Sequence, residues 1–240
     1  MSDRPDDDLT VPKAGKGDVV YTLSRAGISA IPFFGGAAKE LLGLVIAPPL
    51  QRRTINWMNA IAQRLKQLEH EVEGFKLEDL QNNQLFLTVV LHATAIALRT
   101  HQEEKLQVLQ NAVVNTARGI NIDENVQLIF LNATGDLTPL HLQLLRYFQA
   151  PKKWLDELGI QIIEPGGADV GLEKVFPQLA RDIYEPIVQD LFNRGLIITG
   201  RDVLHSMTQP QGIVAPRTTE LGNQFLEYIS DWRPAICDST

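Results

Sequence analysis

The feature that most restricts this 240-residue chain is a run of apolar residues at steps of three and four, cut into lengths by glycine and proline. Met58, Ile61, Leu65, Leu68 and Val72 draw one seam along a predicted helix of about 22 residues starting at Gln51 and stopped by Gly74. Arg52, Arg53, Arg64, Lys66, Glu69 and Glu73 occupy its other faces. Residues 78–99 follow, and their core LFLTVVLHATAIAL is apolar almost all round, which predicts a helix at the centre of a bundle with His92 as a core histidine. Leu106, Leu109, Val113 and Ala117 then share a face up to Gly119. Asp123 is positioned to cap a further helix carrying Val126, Ile129, Phe130 and Ala133. Residues 19–137 are therefore expected to form an all-α domain.

The most apolar stretch, residues 26–50, raises the question of a membrane. Pro32 and Pro48–Pro49 bracket it, with Lys39 and Glu40 at its middle. A helix fitted between those prolines, over 33–47, has about 15 residues and spans about 22 Å, short of the ~30 Å hydrocarbon core. The expectation is a helix buried by its successors, with transient release toward a bilayer as the alternative.

Four aspartates (Asp3, Asp6, Asp7, Asp8) and no apolar run mark residues 1–18 as a solvated acidic tail rather than a signal peptide. Residues 233–240 are expected to be loose, since Pro234 stops a helix. The single cysteine, Cys237, excludes a disulfide framework and fits a reducing, cytoplasmic setting.

The second half starts at Thr138–Pro139, with Thr as N-cap and Pro at the first helical position. LHLQLLRYF and KKWLDELGIQ read as helices, EPGGADVG as a loop, and residues 172–197 as two helices, the second from Tyr184–Pro186 to Asn193. A strand is expected at Leu196–Ile198 and a returning strand at Gly212–Ala215. A last helix follows Thr219–Glu220–Leu221–Gly222. This order, over residues 138–232, resembles a winged helix-turn-helix. The segments that carry the likeness are Leu191–Phe192–Asn193–Arg194–Gly195–Leu196–Ile197 and Thr219–Glu220–Leu221–Gly222–Asn223–Gln224–Phe225–Leu226. The departure is the long stretch between Pro151 and Glu173. The fold class expected is thus mainly α: a helical bundle followed by a winged helix with a small β wing.

Charge speaks against DNA as the partner of such a module. The whole chain carries −7, and residues 137–240 hold nine basic against thirteen acidic side chains. The candidate recognition helix YEPIVQDLFNR sets Glu185 and Asp190 against Arg194 alone, which repels phosphate and leaves few donors for guanine. Arg201 and Arg217 on the candidate wing suffice for one or two phosphate contacts.

Signatures of chemistry are sparse. There is no GxxxxGK[ST], no GxGxxG after a strand and no GxSxG. The five histidines never fall at HxxxH or HExxH spacing, so no metal or cofactor is expected. Arg64 and His70, five residues between them, resemble the Arg–His motif of HEPN ribonucleases, except that Leu65 stands where those motifs carry a polar residue. The run Arg99–Thr100–His101–Gln102–Glu103–Glu104–Lys105 at a helix junction offers an acid/base site or, more simply, capping and solvated ion pairs.

The pattern as a whole resembles a bacterial hypothetical-protein family. Its marks here are IPFFGG, Pro48–Pro49 followed by Arg52–Arg53 and Trp57, RTHQEEKLQVLQNAVVN and LTPLHLQLLRYF. More distantly it is similar to the Abi-alpha family of abortive-infection proteins, which joins an apolar Gly- and Pro-flanked segment and helices to a winged-helix-like region. The resemblance implies a bacterial phage-defence component and supplies no catalytic residues. The expected function is non-enzymatic: contact with a protein partner or a second copy, through Arg52, Arg53, Arg64, Arg194, Arg201 and Arg217. A membrane-acting effector and a DNA-binding regulator are the alternatives.

Overall fold

The computed structural model describes residues 36–233, with side chains from residue 49 onward. The expected tail at 1–18, all but the first residue of the tail expected at 233–240, and the side chains of the 33–47 segment lie outside the described residues. The chain divides into two compact units, Met1–Asn59 and Ala60–Thr240. The described part of the first is the N-terminal portion of helix α1 (Gly36–Glu71).

Helix α1 corrects the expected break at Pro48–Pro49, because helical backbone runs through both prolines. Proline's fixed φ is compatible with a helix, so the cost is two lost backbone donors and the crowding of each ring against the carbonyl four residues earlier, those of Leu44 and Val45. Just beyond, Thr54 Oγ1 donates to Leu50 O at 2.9 Å. The seam is buried at Ile61, Leu65 and Leu68, whereas Met58 is exposed.

In the second unit a 3-10 helix (Leu77–Asn82) precedes α2 (Gln84–Ala97), α3 (Glu103–Ala117), α4 (Glu124–Asp136), α5 (Pro139–Gln149) and α6 (Pro151–Glu157). Then come α7 (Ala168–Val175), α8 (Arg181–Asn193), the short α9 (Arg201–Leu204) and α10 (Pro210–Ile213), and α11 (Glu220–Ile229). The protein is mainly helical. The expected helix over 78–99 is two elements, because Asn83 interrupts it and accepts the Phe86 N–H at 2.9 Å as N-cap of α2. Asp123 caps α4 as expected, accepting from Asn125 N at 2.9 Å. Pro139 opens α5 after Thr138.

The central helix is α3, not α2. Every residue of α3 from Asn111 to Ala117 is buried, while α2 exposes Leu87 and Leu91, the latter at 68%. An apolar helix gains nothing from the centre unless neighbours surround it, and a polar residue is tolerated there when it is hydrogen-bonded. Asn115 Nδ2 donates to the carbonyls of Tyr228 (2.8 Å) and Ser230 (2.9 Å), with Glu227 O at 3.3 Å, and Asn111 Nδ2 donates to Ile229 O at 2.7 Å. Tyr228 and Ile229 carry the last carbonyls of α11 and Ser230 is its C-cap, and none of these three has a partner within the helix. Two asparagines of α3 thus cap the C-terminus of the closing helix.

One hydrophobic core runs from Val108, Ala112, Phe130 and Leu137 through Leu145, Phe148 and Leu191 to Phe225 and Ile229. It crosses the boundary expected at residue 137, so residues 138–232 do not form a separate core. Closure rests on an approach that only glycine permits. Thr219 N donates to Leu196 O (3.0 Å), Thr219 Oγ1 donates to Gly195 O (2.6 Å), and Gly222 N donates to Thr219 Oγ1 (2.9 Å). A Cβ on Gly222 would fall 2.0 Å from Leu196 O.

Of the expected strand at Leu196–Ile198 a single bridge remains, Ile197 with Thr218, and among the described residues one other isolated bridge joins Gly166 with Thr208. Residues Pro210–Ile213, which overlap the expected returning strand at Gly212–Ala215, are helical instead. Pro210 sits at the start of that turn, where its missing N–H is harmless. Helix α8 begins at Arg181 rather than near Tyr184, with Pro186 inside it.

Candidate functional site

The surface built by α8 and the segment that follows it, residues 194–207, holds an interlocked charge network and several exposed apolar side chains. Its hub is His205. Nδ1 lies 2.6 Å from Asp169 Oδ2 on α7, and Nε2 lies 2.9 Å from Glu185 Oε1 on α8. Both contacts are hydrogen bonds at once only in the imidazolium form, because carboxylates accept and do not donate. Arg201 Nε reaches Glu185 Oε2 at 2.7 Å, and Arg181 Nη2 reaches Asp169 Oδ2 at 3.2 Å and Glu173 Oε1 at 3.3 Å. Tyr184 OH donates to Glu173 Oε1 at 2.7 Å, and burial together with that carboxylate pushes its phenol pKa up. Asp169 and Glu185 are buried, so these partners offset their desolvation.

Arg194, at the end of α8, is held by Asp190 Oδ2 (2.9 Å) and Asp136 Oδ2 (3.3 Å). Its guanidinium pKa is raised: burial works against the charge, and the two carboxylates outweigh it. Arg217 is turned inward, donating from Nη1 to Thr199 Oγ1 (3.1 Å) and from Nη2 to Gly212 O (2.6 Å), with burial lowering its pKa. Arg64 pairs with Asp231 Oδ2 at 3.2 Å and is likewise lowered by burial. Arg233 binds the same carboxylate at 2.7 Å, and its hydrogen bonds lead in holding Asp231 down at about 2.

Of the six arginines read from the sequence as interaction residues, four are therefore engaged within the second unit. Arg52 and Arg53 stand exposed on α1 in the first unit. Arg64 and His70 are not brought together: six positions along a helix turn them about 120° apart, and Arg64 faces Asp231.

Among the exposed side chains around this network are four large apolar ones. Phe192 lies against Gly200, whose Cβ, if it had one, would stand 3.1 Å from the ring. Ile198 is 61% exposed, and Val203 and Ile183 are also exposed.

The residues of the 99–105 run do something the sequence left open. Among the described residues they form no ion pair with one another. Instead Arg99, His101 and Lys105 line a cleft of about 500 Å³ with His92, which is half-buried on its wall rather than set in the core. The His205 hub had no local signature, since Asp169, Glu185 and His205 are scattered over 36 positions and meet only through the packing of α7, α8 and α9. Among the described residues no group of three or more His, Cys, Asp or Glu side chains suits a metal ion, and no helix is long and apolar enough to cross a membrane. No family model, characterised protein or solved structure matches the chain.

Proposed function

We propose that the chain is a non-enzymatic interaction module that contacts a protein partner through the α8 surface. One observation carries this reading: the cations on and beside α8 are bound to carboxylates, while Phe192, Ile198 and Val203 are bare on the same segment. A phosphate backbone needs cations not already neutralised, whereas an apolar patch rimmed by charge suits a protein surface. The helix order α5, α7, α8, the Ile197–Thr218 bridge and then α11 supports a winged-helix-like reading of this half, with two helical turns where a wing would stand. On the Abi-alpha resemblance, we carry a bacterial phage-defence setting with this proposal.

The test is an affinity pull-down of tagged full chain from bacterial lysate, with and without nuclease, beside the triple variant Phe192→Ser/Ile198→Ser/Val203→Ser. A stoichiometric protein that survives nuclease and is lost in the triple variant supports the proposal. DNA retained at ~50 mM salt, where phosphate contacts are strongest, and removed by Arg194→Glu or Arg217→Glu would replace it with the transcription-regulator reading.

A further inference from the structure

The cleft between α2, α3 and the end of α4 contains a buried ammonium with no salt-bridge partner among the described residues. Lys105 is only 8% exposed, yet among the described residues the one hydrogen bond of its side chain is from Nζ to a main-chain carbonyl, Gly135 O, at 2.5 Å. Among the described residues no carboxylate oxygen lies within 4.0 Å of that ammonium. The acid that lines the same cleft, Asp136, pairs with Arg194 at 3.3 Å and acts on the Lys105 ammonium only at longer range, favouring its charge without offsetting its burial. Buried ammonium groups are ordinarily paired, because the desolvation of an isolated charge is large. Burial accordingly lowers the Lys105 pKa.

Asp136 apart, the remaining lining is neutral or basic. Arg99 and His101, exposed at the rim, and half-buried His92 surround the cleft. His92, His101 and Arg99 make no ion pair or side-chain hydrogen bond with a described residue. Gln102, the N-cap of α3, also lines it and makes no side-chain cap bond, so the positive end of the central helix is at the same place. The volume, about 500 Å³, is that of a small-molecule site rather than of a bare ion.

We propose that this cleft binds a small organic molecule through a phosphoryl group, which gives Lys105 the direct ionic contact that the described residues do not. Arg99 offers a planar fork to the phosphoryl oxygens and Lys105 a point charge beneath them. Together with two imidazoles they match a dianion better than a single carboxylate. The cleft adjoins the α8 surface through the Asp136–Arg194 ion pair, but the groups offered to the phosphoryl ligand, Arg99, His101 and Lys105, lie between the end of α2 and the first turn of α3.

The experiment is isothermal titration calorimetry of the full chain near pH 7 and ~50 mM salt with AMP, ribose 5-phosphate, inorganic phosphate and succinate. The expected result is 1:1 binding of AMP or ribose 5-phosphate, weaker binding of inorganic phosphate, and little of succinate. Lys105→Met should fold, since it removes an unpaired buried charge, and should weaken the phosphoryl ligand about 30-fold, as loss of a charge-assisted hydrogen bond predicts. The surface variant Arg99→Gln/His101→Gln should weaken it about tenfold with an unchanged melting curve, which keeps the test decisive should Lys105→Met misfold. Failure of every phosphoryl compound to bind, succinate binding as tightly as AMP, or affinity unchanged in both variants would each overturn the assignment.

Discussion

Asn115→Leu tests how the closing helix is anchored. The substitution keeps the approximate shape of the side chain and removes the amide that donates to Tyr228 O at 2.8 Å and Ser230 O at 2.9 Å. Glu227 O keeps a second partner, Ser230 N, at 3.3 Å. Two carbonyls at the end of α11 therefore lose their donor, at about 1–3 kcal/mol each where water is excluded. Against this, Asn115 Oδ1 is itself buried without a partner, and removing it returns one such penalty. The net loss is about 2 kcal/mol, or a fall in Tm of about 4–8 °C for a unit of this size. Asn115→Asp sharpens the test, because it turns a carboxylate oxygen toward three carbonyls and should cost at least twice as much. Asn111→Leu removes only the bond to Ile229 O and should be the mildest of the three. Urea denaturation followed by far-UV circular dichroism, with hydrogen exchange at the end of α11, reads all three. An Asn115→Leu protein as stable as the parent, or an Asp variant no worse than the Leu variant, would refute the anchoring role.

Two further outcomes follow from the same packing. Gly222→Ala should lower stability by about 1–3 kcal/mol, the range for overpacking, because its Cβ would meet the backbone oxygen of Leu196 at 2.0 Å and backbone cannot swing aside as a side chain can; an unchanged urea midpoint would contradict that contact. Asp231 has a depressed folded-state pKa, about 2 against 3.8, with hydrogen bonds from Arg233 as the leading cause. Its contribution is therefore complete above the unfolded value and lost as pH falls from about 4 to about 2. Asp231→Asn should be less stable than the parent at pH 6, and the gap between their urea midpoints should close across that acid window; a gap that stays constant down to pH 2 would count against it.

Much of the fold was legible because its determinants are local. A residue's fitness to stop or cap a helix depends on its own backbone and its next few neighbours. Gly195 turns with φ +70 where the sequence ended α8, and Asp123 caps α4 where the sequence put it. The segments Leu191–Ile197 and Thr219–Leu226, singled out from sequence, do meet, and Gly222 is what lets them do so. The prolines misled for the same reason they usually inform. Pro48–Pro49 removes two donors without forbidding helical φ, and Pro210 opens a helical turn in place of a strand.

The site was legible only in pieces. The run Arg99–Lys105 was visible as a charge cluster, but whether Lys105 meets a carboxylate or an empty cleft is decided by where α4 ends beside it. Asp169, Glu185 and His205 carry no mark at all, because their spacing follows no repeat and their meeting is a product of tertiary packing. The sequence by itself determined the helices, most of their ends and the acidic balance, since periodicity, capping and charge are properties of neighbouring residues. Only the tertiary structure decided which helix is central, which arginines are already paired and which buried cation lacks a partner. Burial and ion pairing are sums over all surrounding elements, and no local window of sequence contains them.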